Sequence, residues 1–230
     1  MLDNLYDQVS PGGHVIIDDY GTCHGAKRAT DEFRAARGID TPLVAEVADV
    51  AVEEATSLLT ALEAAGHARH REGRMSGWML TSDGRAHGEA LLAGELDGAG
   101  CRVEVEGAYS RFLEGNQGFL GLCTDWQLRP DPADPAGGSI VNDHADPDYD
   151  AAVIGRMAEI DSAIQPVCAA LAAVLERFGG YGDRFATALD RISGGDLDWF
   201  TKPMIDSYHT IWFELHENLL ATLGIQRSKE

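Results

Sequence analysis

The stretch LLTALEAAGHARHREGRMSGWMLTSDGRAHGEALL, residues 58–92, decides the fold of the first half of the chain. Its leucines recur at helical spacing until a glycine ends the pattern. Two β-like runs follow, His67–Glu72 and Gly77–Leu80, and the turn residues 73–76 join them. A new helix is predicted to begin near Asp83. The stretch therefore predicts the order helix, β-hairpin, helix.

Three helices are predicted upstream of this hairpin. Ala26–Arg37 is amphipathic, a short helix runs from Pro42 to Ala48, and a longer one spans Glu53–Ala65. Three helices, a hairpin and a further helix form the plan of the winged helix-turn-helix. We therefore predict a winged-helix-like module over residues 26–95.

The same stretch resembles the MarR-type regulators over residues 40–95. The resemblance rests on a helix that ends in glycine, a basic hairpin, and the closing sequence Leu80-Thr81-Ser82-Asp83-Gly84-Arg85. It implies that the hairpin, or wing, contacts DNA. Arg69, Arg71 and Arg74 would then be the residues that bind phosphate.

The helix that would read the bases does not suit DNA. Arg, Lys, Asn and Gln make most contacts to base edges, and Glu53–Ala65 contains none of them. Its polar side chains instead include Glu53 and Glu54. DNA binding and protein contact therefore both remain open for this module, and the charge disfavours DNA.

The N-terminal segment contains a second signal. In LYDQVSPGGHVIIDDYG, residues 5–21, a turn leads into a short β-branched run that ends at Asp18 and Asp19. With AKRATDEFRAARGI, residues 26–39, it resembles the C-terminal part of the macrocin O-methyltransferase (TylF) family. The resemblance implies an α/β methyltransferase that uses S-adenosylmethionine and Mg²⁺, with Asp18 and Asp19 as metal ligands.

The nucleotide-binding half of that family would lie before Met1. A glycine-rich turn and an acidic residue for the ribose are needed to hold such a cofactor. We therefore expect residues 1–25 to be a strand–helix remnant with no bound cofactor. We also expect its strand, His14–Asp19, to lack a full parallel sheet.

Residues 96–230 are predicted to form an α-helical domain, so the whole chain is expected to be mainly α with some β structure. A long loop, residues 130–148, interrupts the helical pattern with four prolines. Asp148 or Asp150 is the predicted N-cap of the helix after it. The predicted helices are Val103–Phe112, Phe119–Gln127, one running to Phe178, Tyr181–Ile192, and Trp199–Leu223 with a break at Pro203.

Two polar clusters in this domain are candidate ligand-binding residues. One is Asn142, Asp143, His144 and Asp146 in the loop, and the other lies in KPMIDSYHTIWFELHENLL, residues 202–220. His209 and His216 are seven residues apart and share a helix face with Trp212, while Asp206 lies one turn earlier. These residues form either a buried aromatic stripe or a small-ligand or metal pocket with the loop.

Composition limits the remaining possibilities. The 38 acidic and 18 basic residues give a net charge of −20, which repels nucleic acid and anionic lipid. The four cysteines are scattered, which favours free thiols, and no signal peptide or apolar span is evident, so we expect a cytoplasmic protein. No nucleophile or phosphate-loop motif is found.

These observations favour a non-enzymatic regulatory or interaction protein that forms a homodimer or binds a protein partner. We expect it to need no cofactor. The alternative is a truncated or partner-completed methyltransferase that uses S-adenosylmethionine and Mg²⁺.

Overall fold

The computed structural model describes residues 40–225, except for residues 49, 73–75, 135–136 and 204. The predicted segment 1–25 and the helix Ala26–Arg37 lie outside the described residues. The chain divides into two compact units, residues 1–90 and 91–230. We call the described part of the first the hairpin unit and that of the second the helical unit.

The hairpin unit contains two helices and a β-hairpin, and a third helix begins in it. The hairpin strands are antiparallel, with Ala68 opposite Leu80 and Arg71 opposite Gly77. The predicted hairpin and the helices beside it are confirmed to within a few residues. The elements are α1 (Thr41–Val47), α2 (Val52–Ala64), β1 (Ala68–Arg71), β2 (Gly77–Leu80) and α3 (Ser82–Ala99).

A compact junction joins α2, the hairpin and α3. The Thr81 hydroxyl donates to the carbonyl of Gly66 at 2.7 Å and accepts from the amide of Gly84 at 2.9 Å. The Thr81 amide donates to the carbonyl of His67 at 3.0 Å. The backbone of Gly84 lies so close to His67 that an added Cβ would be 1.8 Å from the His67 carbonyl oxygen. Glycine is therefore required at position 84.

The helical unit is built mainly from four helices around one aromatic core. They are joined by short elements, including a two-stranded antiparallel sheet. The elements are α4 (Arg102–Gln127), β3 (Leu128–Pro130), β4 (Ser139–Val141), α5 (Pro147–Ala172), a 3₁₀ turn (Glu176–Phe178), α6 (Tyr181–Ser193), α7 (Asp198–Thr201) and α8 (Tyr208–Leu223).

The prediction of two helices between residues 103 and 127 is wrong, because α4 is continuous. Gly115 and Gly118 suggest a break, since each costs about 1 kcal/mol in a helix interior. Phe112 and Phe119 lie on either side of these glycines, are almost completely buried and belong to the same core. Packing of these side chains outweighs the local cost.

The long loop is partly ordered as the β3–β4 hairpin, which the sequence did not predict. The predicted N-cap of the following helix is also wrong. Asp146 caps α5, with its carboxylate accepting from the amide of Tyr149 at 3.1 Å. Pro147 occupies the first turn, where its missing N–H is not needed, and Asp150 is buried inside the helix.

Two other helix bounds differ from the prediction. Helix α5 ends at Ala172, and the predicted continuation to Phe178 is a 3₁₀ turn. The predicted break at Pro203 is present but longer than one residue: α7 ends at Thr201 and α8 begins at Tyr208, after Ser207 accepts from the amide of Thr210. By contrast, α6 agrees with its predicted bounds to one residue.

The core includes three free thiols, those of Cys101, Cys123 and Cys168. Cys123 and Cys168 are free and buried, and burial raises the pKa of each to about 12. The Tyr208 hydroxyl donates to Asp161, and its pKa is raised, first by burial and then by that carboxylate. Among the described residues, no helix has the length and apolarity needed to cross a bilayer.

Candidate functional site

The first group of predicted site residues lies on the hairpin. Arg69 and Arg71 are exposed on β1 and project from the same face, because side chains alternate along a strand. Arg74 lies outside the described residues. The His70 amide donates to the Glu63 carboxylate of α2 at 2.8 Å, which ties β1 to that helix.

Helix α2 presents few polar groups suited to reading a base. The hydroxyls of Thr56 and Thr60 donate to carbonyls one turn earlier in their own helix, at 2.7 and 2.8 Å. Glu53 lies in the first turn, where a carboxylate favours the helix dipole. Leu58 and Leu62 are 53% and 37% exposed. The exposed surface of this helix is therefore acidic and apolar.

The loop candidates Asn142 and His144 meet the buried Asp150. Asn142 Nδ2 is 2.9 Å from Asp150 Oδ1, and His144 Nδ1 is 3.0 Å from Asp150 Oδ2. The His144 ring packs on the Trp126 indole with 4.4 Å between ring centroids. His144 has a φ of 56°, which is uncommon for a residue other than glycine. We call Asn142, His144 and Asp150 the polar triad.

The other two loop candidates have separate partners. Asp143 accepts from Arg129 at 3.3 Å and from the amide of Ala145 at 3.3 Å. The pKa of Asp143 is lowered, chiefly by that amide bond. Asp146 is the N-cap of α5. Both carboxylates thus stabilise the local backbone.

The candidates on α8 lie against other parts of the helical unit. Asp206 accepts two hydrogen bonds from Arg184, each at 2.9 Å. Trp212 and His216 are buried and pack on the Phe112 ring, at 4.8 and 5.0 Å between centroids. The His209 ring is 6.2 Å from that of Phe119. The contacts of these residues are mainly those of an aromatic core.

The described part of the chain contains no candidate metal centre. It contains no group of three or more His, Cys, Asp or Glu side chains placed to hold an ion. Asp18 and Asp19, the metal ligands implied by the methyltransferase resemblance, lie outside it. A ligand or metal role for the loop and α8 candidates remains a prediction.

The sequence reasoning missed a groove between α4 and α5. It has a volume of about 310 Å³ and is partly open. Of the predicted candidates, only Trp212 lines it. Arg111, Glu114 and Gly115 contribute from α4, and Pro166 and Val167 from α5. The one available signal was a proline inside a long helical pattern.

Comparison with known proteins concerns the N-terminal segment. The model of the macrocin O-methyltransferase (TylF) family matches residues 1–52. Residues 1–52 are methyltransferase-like. Demethyldecarbamoylnovobiocin O-methyltransferase of Streptomyces niveus is 51% identical over 43 residues. That match covers 19% of this chain and 16% of the relative. No solved structure matches the chain.

The methyltransferase resemblance is thus confirmed for the N-terminal segment alone. The MarR-type resemblance of residues 40–95 remains a prediction.

Proposed function

We propose that this protein is a non-enzymatic, winged-helix-like regulatory or interaction protein. The hairpin unit contacts a macromolecular partner, and the helical unit binds a small ligand or a second protein. We expect a homodimer, as in most regulators with such modules. The observation that carries the proposal is the order α1, α2, antiparallel hairpin, α3.

The hairpin is the contact element in this proposal. Arg69 and Arg71 lie exposed on one face of β1. The Trp78 indole donates to the Thr41 hydroxyl at 3.0 Å, so β2 is held on α1. A hairpin whose two strands are held by α2 and α1 presents the arginines of β1 with little loss of backbone entropy on binding.

The surface of α2 indicates which class of macromolecule the hairpin unit binds. Its exposed leucines and acidic first turn suit a protein surface better than DNA. The net charge of −20 also opposes approach to a phosphate backbone. Even so, two exposed arginines can bind phosphate locally, so DNA is the partner to test first.

A mobility-shift titration with duplex DNA from about 50 mM salt upward tests the hairpin. The DNA-binding version predicts a weak, non-specific complex that is lost in the double variant Arg69→Ala/Arg71→Ala. Each single variant should reduce the slope of log affinity against log salt by about 1. Arg156→Ala, an exposed arginine of α5, is the matched control and should bind as the original protein does. Absence of a shift at every salt concentration eliminates the DNA-binding version.

A second function is favoured by the matches over residues 1–52. In that version the chain is a truncated or partner-completed O-methyltransferase. S-adenosylmethionine would supply the methyl group, and Asp18 and Asp19 would hold Mg²⁺. Only the family resemblance supports these roles.

Calorimetry with S-adenosylmethionine and Mg²⁺ separates the two functions. We expect no heat of binding, because residues 1–52 contain no G-x-G-x-x-G turn that could hold the nucleoside part of the cofactor. Micromolar binding that disappears in Asp18→Ala would establish the methyltransferase version instead. Asp7→Ala, another acidic residue of the matched segment, is the control.

A further inference from the structure

The groove between α4 and α5 has the dimensions of a small-molecule site. Its volume of about 310 Å³ is at the lower end of the range for ligand pockets. Trp212 of α8 forms its floor, and the wall from α5 is apolar. That wall consists of Ile160, Ala163, Ile164, Pro166 and Val167.

Gly115 lies against the edge of the indole of Trp212, a residue that is only 4% exposed. A Cβ at this position would lie 3.4 Å from Trp212 Cη2, in tight but tolerable contact. A larger side chain would cover the edge of the indole and fill the groove. A glycine inside a 26-residue helix costs stability, and here it leaves the edge of the indole without a side chain over it.

The floor offers an apolar surface. Trp212 Nε1 donates to Asn116 Oδ1 at 2.9 Å, so the polar atom of the indole is already satisfied. The ring stacks on Phe119 with 4.4 Å between centroids, which fixes its orientation. A ligand that meets the exposed edge of this ring must therefore present an apolar or aromatic group.

Two charges of opposite sign border this apolar floor. Arg111 and Glu114 both line the groove from α4. Within the described part of the chain, neither forms a salt bridge. Arg111 uses only Nε, which donates to the carbonyl of Gly107, so its Nη atoms can bind a carboxylate.

We propose that this groove binds a free α-amino acid with an apolar or aromatic side chain. The side chain lies along the apolar wall of α5 and meets the exposed edge of Trp212, the carboxylate pairs with Arg111, and the ammonium pairs with Glu114. A simple carboxylic acid has no ammonium, so its negative charge would be repelled by Glu114. A simple amine has no carboxylate, so its positive charge would be repelled by Arg111. The zwitterion is the ligand that complements both charges.

This inference rests on the ligand-binding role proposed for the helical unit and names the ligand class. The probes are L-phenylalanine, 3-phenylpropionate, which lacks the ammonium, and phenethylamine, which lacks the carboxylate. Calorimetry with the full chain should give the highest affinity for L-phenylalanine. Each truncated probe should bind about three- to fivefold more weakly, because each loses one solvent-exposed ion pair.

Variants of the groove give results with opposite signs. Glu114→Gln should weaken binding of L-phenylalanine and strengthen binding of 3-phenylpropionate, because a repulsive charge is removed. Glu106→Gln, on an exposed position of the same helix, should change neither. Gly115→Leu should abolish binding of all three probes, whereas Gly121→Leu, where an added Cβ meets nothing within 4 Å, should not.

The outcomes separate this inference from the proposed function. No binding of L-phenylalanine or L-leucine up to about 10 mM would overturn it, as would binding that Gly115→Leu leaves unchanged. If 3-phenylpropionate alone binds and Gly115→Leu prevents it, the ligand-binding role stands and the amino-acid class is wrong. The DNA titration of the hairpin variants is measured without amino acid and does not depend on any of these results.

Discussion

Replacing Gly84 with alanine is expected to destabilise the hairpin unit by about 3 kcal/mol, at the upper end of the cost of overpacking. The added Cβ would lie 1.8 Å from the carbonyl oxygen of His67 and 2.7 Å from its carbonyl carbon. Both atoms belong to the backbone, so no side-chain rotation relieves the clash. The start of α3 must move away from the turn before β1, and the hydrogen bonds of Thr81 at this junction are lost.

Gly88 provides a matched control in the same helix. An added Cβ at Gly88 meets nothing within 4 Å. Gly88→Ala should therefore stabilise the protein by about 0.5–1 kcal/mol, because alanine loses less backbone entropy in a helix. Urea denaturation followed by circular dichroism measures both variants, and hydrogen exchange at residues 66–71 locates the effect. Equal stability of the two variants would show that the close approach at Gly84 does not exist in solution.

The hairpin could be predicted because its signals are local. Alternating residues on both sides of a glycine-containing turn specify two strands and their connection. The prediction placed them at His67–Glu72 and Gly77–Leu80, and the structure has Ala68–Arg71 and Gly77–Leu80. The requirement for glycine at position 84 could not be read from the sequence, because it arises from contact with a carbonyl 17 residues earlier.

Helix α4 could not be predicted as one element, because its continuity depends on tertiary contacts. Locally, Gly115 and Gly118 favour a break. In the folded protein, Trp212 contacts both Phe112 and Phe119 from a helix about a hundred residues later. Burial of these rings stabilises the structure by several kcal/mol, which exceeds the cost of two glycines.

The groove was missed for the same reason. Its charged rim is on α4, its apolar wall on α5 and its floor on α8, so no single stretch of sequence contains the pattern. The histidine-containing pattern on α8 was noticed because its spacing is local. The polar triad was recognised only in part, since Asn142 and His144 were identified as candidates and Asp150 was assigned to a helix cap.

Asp150→Ala should destabilise the helical unit by about 3 kcal/mol, a typical cost of removing one partner from a buried polar group. The Asp150 side chain is 10% exposed and accepts from Asn142 Nδ2 and His144 Nδ1. Asn142 is itself 5% exposed. Alanine leaves part of the amide of Asn142 without an acceptor and leaves a void beneath the imidazole, so the loop before α5 loses its attachment.

Asp148→Ala is the control, since Asp148 is an exposed carboxylate in the same first turn of α5. Its loss should cost about 0.5 kcal/mol through the helix dipole alone. Urea denaturation gives both values, and Asp150→Asn adds a test of geometry. The asparagine oxygen can still accept from Asn142, so this variant should retain more stability than Asp150→Ala. If Asp150→Ala and Asp148→Ala cost the same, the triad does not hold the loop, and the left-handed backbone of His144 must be maintained by its contact with Trp126.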